Sequence, residues 1–151
     1  MADDVEVLLQ MYQEQHNQAR QLETQRATLS NLIIVVASAA LGFTAQHGLE
    51  MIMLIVTLPL VALGGYGALA CLKYHERSVL HHRAARRFSL RIEERLPSLL
   101  INDGWAELHE QQLLRFPKIF KIRLYALWIT LHIGVAVSGA ILSVAILVRA
   151  L

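Results

Sequence analysis

The chain carries seven histidines and one cysteine, the residue types from which metal centres and acid–base sites are built, and their spacing limits what they can do. His81 and His82 are adjacent, so on a helix they diverge by about 100° and cannot easily share one ion. Cys71 and His75 stand one helical turn apart and His82 lies two turns further along, which leaves two candidate ligands for any single ion. No serine sits in a Gly-x-Ser-x-Gly turn, and no glycine-rich phosphate loop precedes a helix. The expectation is a protein without a catalytic site, a bound metal or a cofactor. Cys71 has no partner for an intrachain disulfide, and its place at the end of an apolar stretch makes it a small packing residue rather than a palmitoylation site.

Two other groups of residues are better placed. Arg83, Arg86 and Arg87 cluster in a basic segment, and the planar guanidinium matches phosphate, so they form a candidate site for an anionic signal such as a nucleotide or oligonucleotide. The competing reading is a solvated helix facing lipid headgroups, and few aromatic residues lie nearby to stack on nucleic acid. His132 lies about two turns inside a long apolar stretch, where a titratable residue faces other helices or a water-filled path. With Thr130, Ser138 and Ser143 it could contribute to a pore lining, while Gly134, Ser138 and Gly139 offer small helix-packing surfaces; the alternative for His132 is an interhelical hydrogen bond. The string Gly65-Tyr66-Gly67 matches the core of a potassium filter, but Leu63 and Gly64 precede it instead of Thr-Val, and it lies inside a span rather than a re-entrant loop.

The elements that must position these residues follow from composition. The 151 residues are 55% apolar and 17% charged, with a mean hydropathy of +0.43, too apolar for a soluble domain of this size. Three windows, from Arg26 to Glu50, Glu50 to Lys73 and Arg123 to Arg149, contain no Asp, Glu, Lys or Arg between their bounds. Each exceeds the roughly 20 residues a helix needs to cross the hydrocarbon core. The fold class is therefore an all-α integral membrane protein with three transmembrane helices plus cytoplasmic helices.

Residues 1–28 read as an N-terminal cytoplasmic helix with Val5, Leu8, Tyr12, Ala19, Leu22 and Leu29 on one seam, interrupted by Gln15 and Arg26. Its acidic start lacks the basic region of a cleavable signal, so the first span is expected to stay in the mature protein. Residues 29–72 form a transmembrane hairpin turning at Gln46–Glu50, with Ser38 and Gly42, and Gly64 and Ala68, as expected contact points. Residues 73–123 form a basic cytoplasmic helical region continuous with the second span and ending its first helix near Pro97. There Leu80, Ala84, Phe88, Ile92 and Leu96 are expected to face inward, with Arg77, His81 and Arg95 close by and Glu14 and Glu23 as their partners. Asn102, Asp103 and Gly104 read as a turn, with Asp103 capping a helix over Trp105 to Leu114. Residues 124–149 form the third span, anchored by Tyr125 and Trp128.

Charge sets the orientation. The first 29 residues balance to −3 and residues 73–123 to +5, while the hairpin turn has no Lys or Arg and the tail has only Arg149. Because Lys and Arg mark the cytoplasmic side, the N-terminus is expected inside and the C-terminus outside.

A soluble helix entering a span, a tight hairpin, and a second span running into Tyr74-His75-Glu76-Arg77 through Arg87-Phe88 and Glu93-Glu94-Arg95-Leu96 together resemble the SLATT family of small bacterial membrane proteins over residues 5–100. That resemblance implies an anti-phage defence effector that disrupts or gates the membrane in response to a nucleotide-derived signal. The third span departs from the simplest two-span form of the family. The expectation is a homo-oligomeric channel in contact with membrane lipid and opened by a nucleotide or oligonucleotide activator. The alternative is a non-conducting anchor or assembly subunit that recruits a cytoplasmic partner.

Overall fold

A computed structural model describes residues 2–151, with side chains from Asp4 onward; Met1 and the side chains of Ala2 and Asp3, which belong to the expected N-terminal helix, lie outside the described residues. The chain is 93% helical, and no strand occurs among the described residues. Four helices follow one another: α1 (Ala2–His47), α2 (Leu54–Arg95), α3 (Ile101–Arg115) and α4 (Leu124–Ala150). Three of them, α1, α2 and α4, are long and apolar enough to cross a membrane, with mean hydropathies of 1.8, 2.1 and 2.3 over their best windows. At 1.5 Å per residue α1 and α2 run to roughly 69 and 63 Å, about twice a hydrocarbon core of ~30 Å, so each carries both a span and an extramembrane half.

Two compact units result. The charged unit combines α1 up to Glu23 with His75–Arg123, and the membrane unit combines Thr24–Tyr74 with Leu124–Leu151.

The membrane unit packs small and polar residues inward and large apolar ones outward. Ser30, Thr57, Cys71, His132 and Ser143 are buried with Gly64, Gly67 and Gly139, while Val35, Ile55, Leu69, Ile141 and Val148 lie open. In water this arrangement would forfeit the burial of the largest side chains; in lipid, which is as apolar as leucine, close backbone approach is what remains to be gained. Gly48, at φ +78°, turns the chain between α1 and α2 in a conformation that L side chains rarely adopt. The register of α2 against α4 is antiparallel and read from four points. Thr57 meets Ser143, Leu60 meets Gly139, Gly64 meets Ala136, and Gly67 meets the His132 ring. α1 runs parallel to α4, with Arg26 at Trp128 and Ser30 at His132. The expected contact points of the hairpin are corrected here. A Cβ on Gly42 would meet nothing and Ser38 is exposed, whereas Gly64 receives α4 rather than α1. The third span takes up the glycine face because α4 packs on α2 through Gly64, Gly67 and Gly139.

In the charged unit the seam of α1 keeps the predicted spacing. Val5, Leu8, Tyr12, Gln15 and Leu22 are half-buried and Ala19 is buried. The facing stripe of α2 differs from the expected one. Ile92 is buried as expected and Ala84 and Phe88 are half-buried, but Leu80 and Leu96 are exposed, and Ser78, Ala85 and Ser89 are buried in their place. Small side chains at these positions allow close helix approach, and that gain outweighs burial of two leucines. The acidic partners also differ. Arg95 pairs with Asp4 at 3.4 Å and His81 Nδ1 bonds Gln15 Oε1 at 2.8 Å, while Glu14 accepts from Gln18. The expected turn at Asn102–Gly104 is helical instead. Leu100 takes the left-handed conformation at φ 43°, stops the chain one step earlier and serves as the N-cap residue, so Asp103 falls in the first turn of α3 and caps nothing.

Candidate functional site

Two sites emerge, one in each unit. In the charged unit a cleft of about 770 Å³ opens between α1, α2 and α3. The one-turn spacing of Tyr12 and His16 puts both on the α1 wall, where their rings meet edge to face at 4.6 Å. α2 contributes His82 and Arg86, and α3 contributes Trp105, His109 and Gln112. The His16 and His82 rings stand 6.0 Å apart, and His109 packs edge-on to Phe120 at 4.9 Å. Trp105 remains 64% exposed, so its indole face is free to receive a planar ligand. Burial holds the His16 imidazole below its ordinary pKa of 6.5, helped by the neighbouring His82 and Arg20. His16 is therefore a neutral hydrogen-bonding group at neutral pH that an arriving anion would push toward protonation.

Of the three arginines singled out by the sequence, all are exposed, and Arg86 alone lines this cleft. Arg83 and Arg87 lie on other parts of the helix surface. Sequence reasoning passed over Tyr12, His16 and Trp105. Tyr12 had been assigned to a packing seam, and only the return of α3 shows that it borders a cavity.

In the membrane unit His132 is fully buried, and its Nε2 lies 3.0 Å from Ser30 Oγ. Ser30 Oγ also approaches Cys71 Sγ at 3.9 Å, so one polar cluster joins α1, α2 and α4. One helical turn from His132 the Arg26 guanidinium stands over the Trp128 ring, 5.6 Å from its centroid. Deeper in the bundle Ser143 donates to Thr57 Oγ1 at 2.8 Å and shares itself with the Gly139 carbonyl. Gly139 is an internal packing residue, since a Cβ there would come within 2.8 Å of Leu60 Cβ. Gly134 and Ser138 point the other way. Gly134 meets open space, and Ser138 is half-buried with its hydroxyl donating to the Gly134 carbonyl at 2.8 Å.

No family model matches the chain, and neither does any curated protein or solved structure. The functional reading rests on chemistry alone. The cleft offers aromatic faces, one guanidinium and three imidazoles, of which burial holds that of His16 toward its neutral form, the complement of a planar ring bearing negative charge. On α4, Gly134 faces outward and leaves open space where a Cβ would stand.

Proposed function

We propose that this protein is an oligomeric effector of a bacterial inner membrane, opened as a channel or pore when an anionic, nucleotide-derived signal enters the cleft of the charged unit, in anti-phage defence. The observation that carries the reading is the meeting of Arg86, His16 and His82 with Tyr12 and Trp105 in one cleft. Charge supports the orientation, because every Lys and Arg except Arg149 belongs to residues 1–29 or 73–123. Three spans are too few to enclose an aqueous path, so conduction requires several copies. The outward Gly134–Ser138 face of α4 is suited to joining them.

Arg86 belongs to α2, the same unbroken helix that carries the second span, so a ligand bound there acts on a helix that enters the bilayer. It drives opening only by binding the open arrangement better, and reversing a closed-dominated equilibrium takes roughly 5 kcal/mol of differential binding. Several subunits with a few charge-assisted contacts each supply that amount. The test is the purified protein in dye-loaded liposomes, challenged with a panel of nucleotides and short oligonucleotides while Trp105 emission is followed. Dye release by one member of the panel, lost in Arg86→Glu but retained in Arg83→Glu, supports the reading. Ligand binding without release at any concentration replaces the channel with an anchor that reports occupancy to a partner.

A further inference from the structure

Arg26 is 8% exposed, yet among the described residues it has no carboxylate partner and no hydrogen bond; the neighbouring group it meets is the face of Trp128. Its Nε is a buried donor without an acceptor, and the indole Nε1 of Trp128 is another. Both belong to the membrane unit, one helical turn from the Ser30–His132–Cys71 cluster. Cation–π attraction to the Trp128 ring only partly offsets the cost of burying a guanidinium without a counter-charge. Two unsatisfied donors in one contact, one of them cationic, are a deficit that an acceptor with negative charge removes.

We infer that Arg26 and Trp128 form a binding site for a phosphate oxyanion within the membrane unit, separate from the cleft and independent of the channel reading. The guanidinium supplies a planar fork that matches two phosphate oxygens, and the unpartnered indole N–H, at the edge of the ring whose face the guanidinium covers, is a further donor. No carboxylate competes for the guanidinium, which distinguishes this arginine from Arg95 with its Asp4 partner. The depth fits as well. Arg26 lies three residues before the start of the first span at Leu29, and Trp128 four residues after Leu124, the level at which lipid phosphates lie. The oxyanion is therefore the headgroup phosphate of a lipid lodged between helices or a free phosphate entering from the aqueous side.

The experiment uses the delipidated full-length protein in a neutral detergent with Trp105→Phe, so that Trp128 is the single remaining indole. Inorganic phosphate and phosphatidylglycerol are titrated separately, with phosphate-free monoolein as the control lipid, while Trp128 emission and the melting temperature are recorded. A saturable emission change with a rise in melting temperature is expected. A response to inorganic phosphate identifies the free-anion source, and a response to phosphatidylglycerol alone identifies the headgroup. Arg26→Gln should weaken the response at least tenfold while keeping helicity, and Arg26→Lys, which keeps the charge without the fork, should fall between. Should Arg26→Gln prove unstable, the melting-temperature rise in the Arg26 protein still decides the matter. No response to either phosphate source, an equal response to monoolein, or an undiminished response in Arg26→Gln overturns the site.

Discussion

Ser30 Oγ stands 3.0 Å from His132 Nε2, a hydrogen bond that joins the first and third spans across 102 positions of sequence. Both side chains are fully buried, and Gly67 of the second span makes room for the imidazole; a Cβ there would run into the ring at Nδ1. The bond therefore fixes the order of three helices at one level.

The first prediction concerns that bond. In a double-mutant cycle of Ser30→Ala and His132→Ala, unfolding in mixed micelles should give a coupling of about 0.5–1.5 kcal/mol, the range of interhelical hydrogen bonds in membranes. A coupling near zero would assign His132 to ring packing rather than to hydrogen bonding.

The glycines separate internal packing from assembly. Gly64→Val should destabilise the monomer by about 2 kcal/mol or more, because a Cβ at that position already reaches within 2.6 Å of the His132 carbonyl oxygen. Gly65→Val, whose Cβ meets open space, should be near neutral. Gly134→Leu and Ser138→Leu should leave the melting of the monomer intact and reduce the mass of the detergent-solubilised assembly. Unchanged mass in both moves the interface off this face.

The lowered pKa of His16 gives a pH dependence whose sign is determined. Its folded pKa lies below the ordinary 6.5, so below pH 6.5 the unfolded chain binds the proton more readily than the folded one. The stability that His16 contributes as a neutral group is complete above pH 6.5 and is lost as pH falls from there toward the lowered value. Denaturation followed between pH 7.5 and 5 should show this decline, with a shallower slope in His16→Gln. Binding of an anionic ligand to the cleft should tighten over the same descent, because the ligand favours the charged imidazole.

Orientation follows from the distribution of Lys and Arg. Alkaline phosphatase fused after Leu151 should be active, and the same reporter placed after Leu100 should be silent. The reverse pattern would put the cleft outside the cell and remove any intracellular signal as its ligand.

The three spans and the continuity of α2 were legible in the sequence, because the absence of charge over a window longer than ~20 residues leaves a chain few alternatives. The seam of α1 was legible down to its polar interruptions. Gln15 and Arg26, which break the apolar spacing, lie on the inward side as that spacing requires. Periodicity finds a helical face from that helix's residues alone.

Which face meets which neighbour is another matter. In α2 the apolar stripe pointed to Leu80 and Leu96, but the docked surface runs through Ser78, Ala85 and Ser89, because closeness of backbones is a property of the pair. Gly134 and Gly139 are five residues apart on one helix and looked alike in sequence. One faces open space and the other receives Leu60, a difference that exists only once α2 is in place. The cleft assembles residues from position 12 to position 120, and the Arg26–Trp128 contact brings together helices more than a hundred residues apart. Hydrophobicity acts locally and is written along the chain; the satisfaction of a buried donor depends on what stands opposite it, and that was decided by the packing of the helices.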